Sequence, residues 1–179
     1  MGLFASWDYP DSILQQQDCV QTAYDVGVHM GGDLERSNSS DAQAFIISAI
    51  KDPDGANLNR VQIIKGWIDQ DGQIYEKIFD VAWSDDHEIK EDGSISNLTS
   101  TVDVTSATYT NDISAVSLET TWRDPEFDPA TSAFYYVRVL EIPTPRWTTY
   151  DAVRSNQELS DNVPATIQER AWSSPIWLD

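Results

Sequence analysis

Arg60-Val61-Gln62-Ile63-Ile64-Lys65-Gly66-Trp67-Ile68, then Asp69-Gln70-Asp71-Gly72, then Gln73-Ile74-Tyr75-Glu76-Lys77-Ile78-Phe79-Asp80-Val81-Ala82-Trp83 decide the fold class. The outer runs alternate apolar and polar residues for most of their length, as strands do. Between them, Asp71-Gly72 is the dipeptide of a tight hairpin turn. Lys65 and Lys77, set between hydrophobics, are expected to mark faces that reach water. That makes the strands antiparallel with one wet side.

Working outward, Ala44-Phe45-Ile46-Ile47-Ser48-Ala49-Ile50 reads as a strand closed by the turn residues Asp52-Pro53-Asp54-Gly55. Downstream, Phe134 to Ile142 is the strongest strand pattern in the chain, ended by Pro143-Thr144-Pro145. Shorter strands are expected at Thr101–Val104, Ala107–Tyr109 and Ala115–Trp122. A turn of helix is expected at Ala165–Glu169, opened by Pro164. Ala171–Leu178 reads as a Pro-interrupted, edge-like strand. Short strands punctuated by turns, without βαβ alternation, predict an antiparallel β-sandwich, immunoglobulin-like or related. Residues 43–179 form that β-domain. Residues 1–42 form an N-terminal segment packed on it, with a short helix over Asp18–Asp25 that stops at Gly27.

The chain has 179 residues with 40% hydrophobic content, enough to fill one core. Lys plus Arg number 11 against 30 Asp plus Glu, so the net charge is −19. Such a surface repels phosphates and anionic lipid heads, which excludes nucleic acid and membrane partners. No run approaches a membrane span, and the start of the sequence lacks the pattern of a signal peptide, so a soluble chain is expected.

Few residues offer chemistry. Cys19 is the lone cysteine, and His29 and His87 are the only histidines. No nucleophile elbow and no paired-histidine zinc motif occurs, so no catalytic residue, no metal ligand set and no cofactor is assigned. His87 sits in an acidic polar stretch, Ser84–Ser100, expected to be an exposed loop with a solvated imidazole. His29 precedes Met30-Gly31-Gly32-Asp33, a turn-forming run that gives it a structural role. Neither Gly72 nor Gly93 can be aligned as an EF-hand without placing Trp67 and Ile78, or Lys90, at ligand positions. A calcium site of another design stays open. The strand positions of Trp67, Trp83, Trp122 and Tyr136 point to core packing. Arg146-Trp147 differs, because it follows Pro143-Thr144-Pro145 in what reads as a rigid loop. There it either anchors a contact surface, or pairs Arg146 with a carboxylate while Trp147 fills a core edge.

Longer runs carry a resemblance. Met30-Gly31-Gly32-Asp33-Leu34, Lys51-Asp52-Pro53-Asp54-Gly55-Ala56-Asn57-Leu58, Ile63 to Trp67, Tyr75 to Trp83, Arg138 to Thr148, and Gln168 to Trp177 resemble the C-terminal part of the bacterial family known as domain of unknown function 3604. The resemblance spans Trp7 to Trp177. Intact members are several times longer, and their N-terminal part resembles the polymerase-and-histidinol-phosphatase (PHP) class of metal-dependent hydrolases. In the family, Pro ordinarily precedes Met-Gly-Gly-Asp; here His29 stands there, which argues against a family-wide ligand role for it.

The resemblance implies a non-catalytic accessory β-domain of a PHP-like hydrolase. Its partner would be the missing N-terminal half, or a second copy in a homo-oligomer, and the intact parent would be periplasmic. Arg146, Trp147, His29 and Asp33 are the expected contact residues. An independent carbohydrate- or ligand-binding sandwich is the alternative, and a carboxylate-based hydrolase the third reading.

Overall fold

The computed structural model describes residues 1–37, 41–84, 87, 89–90, 95–96 and 98–179. In chain order the strands are β1 (Gly2–Ser6), β2 (Val28–His29), β3 (Asp33–Leu34), β4 (Ala44–Ile50), β5 (Leu58–Ile68), β6 (Ile74–Trp83), β7 (Ser117–Arg123), β8 (Ala133–Glu141), β9 (Thr144–Pro145), β10 (Thr166–Ile167), β11 (Arg170–Trp172) and β12 (Ile176–Leu178). Helix α1 is Cys19–Val26 and α2 is Trp147–Ser155, and a 3₁₀ turn lies at Ile13–Gln15.

Two sheets face each other. One has the order β2-β1-β4-β7, the other β3-β12-β8-β5-β6, and β11 continues β12 along the same side of β8. All pairings are antiparallel except β3 with β12. Leu3, Phe45, Ile47 and Leu118 from the first sheet meet Val61, Ile63, Tyr135, Val137 and Ile176 from the second. The antiparallel β-sandwich expected from the alternating runs is therefore the fold. The first sheet also buries its outer face. Ile46 and Ala44 pack there against Tyr9, Ile13 and Ala23, under the 3₁₀ turn and α1.

The hairpin at Asp69–Gly72 forms as read. Gly72 takes φ +78°, a conformation L side chains avoid, and Asp69 Oδ1 accepts from the Asp71 and Gln73 amides. The Gln73 amide bond is the largest cause holding the Asp69 carboxyl below its ordinary range.

Several expectations are corrected. Residues 1–42 do more than pack on the sandwich: β1 lies inside the first sheet, between β2 and β4. Thr101–Val104 and Ala107–Tyr109 are not strands. Asp103 makes one isolated bridge to Thr108, and its carboxylate caps the turn by accepting from the Thr105 amide and the Ser106 hydroxyl. The helical turn expected at Ala165–Glu169 is instead β10, paired with β9. Ala171–Leu178 divides into β11 and β12, and β12 sits between β3 and β8 rather than at an edge. Much of the Ser84–Ser100 stretch lies outside the described residues; among those described, Ser84, His87 and Ile95 are buried.

Lys65 is the largest correction. It faces the core, not water, with 6% of its surface exposed. Its ammonium pairs with Asp124 and donates to the Glu126 carbonyl at 2.8 Å, while the Tyr135 hydroxyl donates to the same Asp124 oxygen at 2.8 Å. A buried lysine is tolerated because each of its partners is supplied by the fold. Its neighbour Lys77 does reach water, and it pairs with Glu126.

Candidate functional site

Glu141 ends β8, and the chain then passes through β9 into α2, so Arg146 and Trp147 follow the last long strand in the chain, Arg146 half-buried and Trp147 exposed. The rigid loop expected there is the start of a helix. Arg146 is its N-cap, in extended geometry, and its carbonyl accepts from the Thr149 and Tyr150 amides. The site is braced from the other side: Ala165 O accepts the Arg146 amide at 2.9 Å and the Thr149 hydroxyl at 2.6 Å.

Arg146 is a poor cap. It offers no side-chain acceptor to the free amides of the first turn, and it places a positive charge at the positive end of the helix dipole. Among the described residues its side chain has no ion pair or hydrogen bond. Trp147 is 65% exposed. Neither half of the internal arrangement, a paired Arg146 over a core-filling Trp147, is therefore present. Beside Trp147 runs a groove of about 240 Å³, lined by Thr148, Asp151, Ser155, Leu159 and Val163 among others. The Thr148 hydroxyl is buried at its edge and has no hydrogen-bond partner among the described residues.

The other expected contact residues lie elsewhere. His29 is exposed on β2, with Nδ1 at 2.9 Å from the Met30 carbonyl and its ring beside Tyr24. Asp33 is exposed on β3, opposite Trp177. Among the described residues no hydrogen bond, ion pair or ring contact joins either to Arg146 or Trp147. The structure thus keeps only Arg146 and Trp147 together and leaves His29 and Asp33 on edge strands of different sheets. His87 is not solvated: it is 8% exposed, and its two ring nitrogens lie 2.6 Å and 3.1 Å from the carbonyls of Ser96 and Asn59. Those contacts tie His87 to Ser96 and to β5.

Among the described residues no group of three or more His, Cys, Asp or Glu is placed to hold a metal ion. Among the described residues no helix is long and apolar enough to cross a membrane. The family model described as "Protein of unknown function (DUF3604)" matches residues 1–179. The chain belongs to the DUF3604 family. No curated protein and no solved structure matches it.

Sequence reasoning missed a second feature of this DUF3604 chain. The outer face of the larger sheet, away from the core, is not covered as that of the smaller sheet is. Glu76, Gly66, Phe134 and Trp177 form one row straight across β6, β5, β8 and β12. Phe134 leans over Gly66, where an added Cβ would stand 2.3 Å from the ring. The Phe134 and Trp177 ring centroids are 5.1 Å apart. A hollow of about 410 Å³ opens beside them, bounded also by Ile68, Ile74 and Asp179.

Proposed function

We propose that this chain is a non-catalytic accessory β-domain of a larger, PHP-like metal-dependent hydrolase, and that it contacts the rest of that protein through Arg146 and Trp147. The observation that carries this reading is the exposed Trp147 beside an unpaired Arg146 at a helix start. A residue that breaks the local capping rule gains nothing for the helix, and such departures concentrate at functional positions. Trp and Arg are also the side chains that most often dominate contact energies, because they offer broad stacking area and a rigid fork of donors.

Two substitutions test it. In the isolated chain, Arg146→Ala is expected to leave Tm nearly unchanged, since no partner is lost. Arg146→Asp supplies both a cap and a favourable charge, together worth about 1 kcal/mol, and is expected to raise Tm by roughly 2–4 °C. In the longer parent protein both are expected to loosen association of this domain or lower hydrolase activity. A parent protein indifferent to both substitutions and to Trp147→Ala would remove the reading. An independent ligand-binding sandwich is the second reading, favoured by the hollow beside Phe134 and Trp177.

A further inference from the structure

We infer that the hollow at the β5–β6 hairpin end of the larger sheet is a binding site for a small organic cation with an apolar body, such as an alkylammonium compound. This inference rests on the second, ligand-binding reading and names its ligand class. It is independent of the Arg146–Trp147 contact, because Phe134 lies at the start of β8 and Arg146 beyond its end.

Gly66 has no side chain, which lets the Phe134 ring lie over its backbone at one side of the hollow. Its walls are the rings of Phe134 and Trp177, tilted by 49°, together with Ile68 and Ile74. Its rim carries Glu76 and Asp179. Both acids are exposed, and among the described residues neither has an ion pair or hydrogen bond. The nearest lysine on β6, Lys77, points to the opposite face and is engaged by Glu126.

This combination selects for charge as well as shape. Ring faces attract a cation through their quadrupole, and two carboxylates at the rim add a second attraction of the same sign, opposed in part by the Arg36 guanidinium that donates to the Ser132 hydroxyl on the lining. A net charge of −19 raises the local concentration of cations and depletes anions. Apolar substituents on the cation gain from Ile68, Ile74 and the two rings, where a bare metal ion would not. The volume, about 410 Å³, falls in the usual range for small-molecule sites, roughly 300–1,000 Å³.

The test is a titration of the 179-residue chain with n-butyltrimethylammonium, followed by nuclear magnetic resonance through the Trp177 indole N–H. Parallel titrations use 3,3-dimethylbutan-1-ol, whose tert-butyl group is the neutral isostere of the trimethylammonium head, together with butyrate, cellobiose and a lysine-rich peptide. The expected result is a saturable shift of the Trp177 signal by the cation, with at least about tenfold weaker binding of the alcohol and none of butyrate. Glu76→Gln combined with Asp179→Asn should weaken the cation about tenfold while leaving the alcohol unchanged; both sites are exposed, so folding is preserved. Gly66→Ala is avoided, because it displaces Phe134. Equal binding of alcohol and cation overturns the inference, as does indifference to the double substitution. Binding of cellobiose without the cation overturns the cation assignment but leaves a ligand-binding module. Binding of the peptide alone makes the face a protein-docking surface, and silence from every probe removes the ligand-binding reading as well.

Discussion

Asp124→Ala is expected to destabilise the fold by about 3–5 kcal/mol, the cost of leaving one member of a buried ion pair without its partner. For a chain of this size that corresponds to a fall in Tm of roughly 6–20 °C. The side chain of Asp124 is wholly buried, and that of Lys65 is 7% exposed. Asp124 has three jobs at once: one oxygen takes Lys65 and the Tyr135 hydroxyl, and the other takes the Glu126 amide. Removing the carboxylate therefore strands an ammonium and a phenol in the core and leaves the part-buried Glu126 amide without its acceptor. The phenol has no escape by ionising. Burial above all, and then the Asp124 charge, push Tyr135 far above the ordinary tyrosine range, so its proton stays on and must find an acceptor.

Urea unfolding followed by tryptophan fluorescence measures the effect. A companion variant separates pairing from packing. Lys65→Met removes the stranded charge, so Lys65→Met with Asp124→Ala is expected to be more stable than Asp124→Ala alone. A loss below about 1 kcal/mol in Asp124→Ala, the ordinary worth of an exposed pair, would mean that water reaches Lys65 and that the pair does not hold the sheets together.

Lys65 also shows where sequence reading stops. The alternation in residues 58–68 and 74–83, with Asp71-Gly72 between them, makes the hairpin legible, because period and turn chemistry are both local. A lysine inside such a pattern reads as a wet face. What reverses the reading is Asp124, 59 positions further along the chain, which carries no local mark of its role. Helix α2 was hidden for a related reason. Trp147-Thr148-Thr149-Tyr150 has β-branched and aromatic residues of low helix preference, and Arg146 is no capping signal. The brace from Ala165 makes up for both, and it is a tertiary contact. Pro164 pointed to a helix start, but the following backbone is committed to β9 and to that brace, so β10 forms instead.

Of the candidate site, Arg146 and Trp147 were legible because two prolines and a scarcity of arginine set them apart. The cation hollow was not. Its row from Glu76 to Trp177 joins four strands, and only the Gly66–Glu76 step follows from the hairpin. The remaining steps need the registers of β5 on β8 and of β8 on β12, which one sequence does not specify.

The same dependence on distant contacts makes Gly27 the second position of large effect. Gly27→Ala is expected to cost about 3 kcal/mol, from overpacking together with a broken buried hydrogen bond. Torsion is not the reason: Gly27 ends α1 in an extended conformation, φ −136°, that any residue adopts. Space is the reason. A Cβ there would stand 1.9 Å from the Tyr9 hydroxyl oxygen and 2.7 Å from the Ala5 carbonyl oxygen. Neither neighbour yields easily. Ala5 is held in β1, hydrogen-bonded between β2 and β4, and Tyr9 is 2% exposed, with its hydroxyl donating to Ala23 O at 2.6 Å. Burial pushes the Tyr9 phenol up to about 12, so at neutral pH it remains a donor that needs that acceptor. Denaturant melts of Gly27→Ala, Tyr9→Phe and the double variant locate the strain. Tyr9→Phe alone should cost about 1 kcal/mol for the lost bond. In the Gly27→Ala background it removes the clashing oxygen, so the double variant should lose less than the sum of the two single losses. Strict additivity would place the strain on the two contacts that Tyr9→Phe keeps, the ring carbon Cζ at 2.6 Å and the Ala5 carbonyl, and a Gly27→Ala protein as stable as the unsubstituted chain would show that α1 can lift away from the smaller sheet without cost.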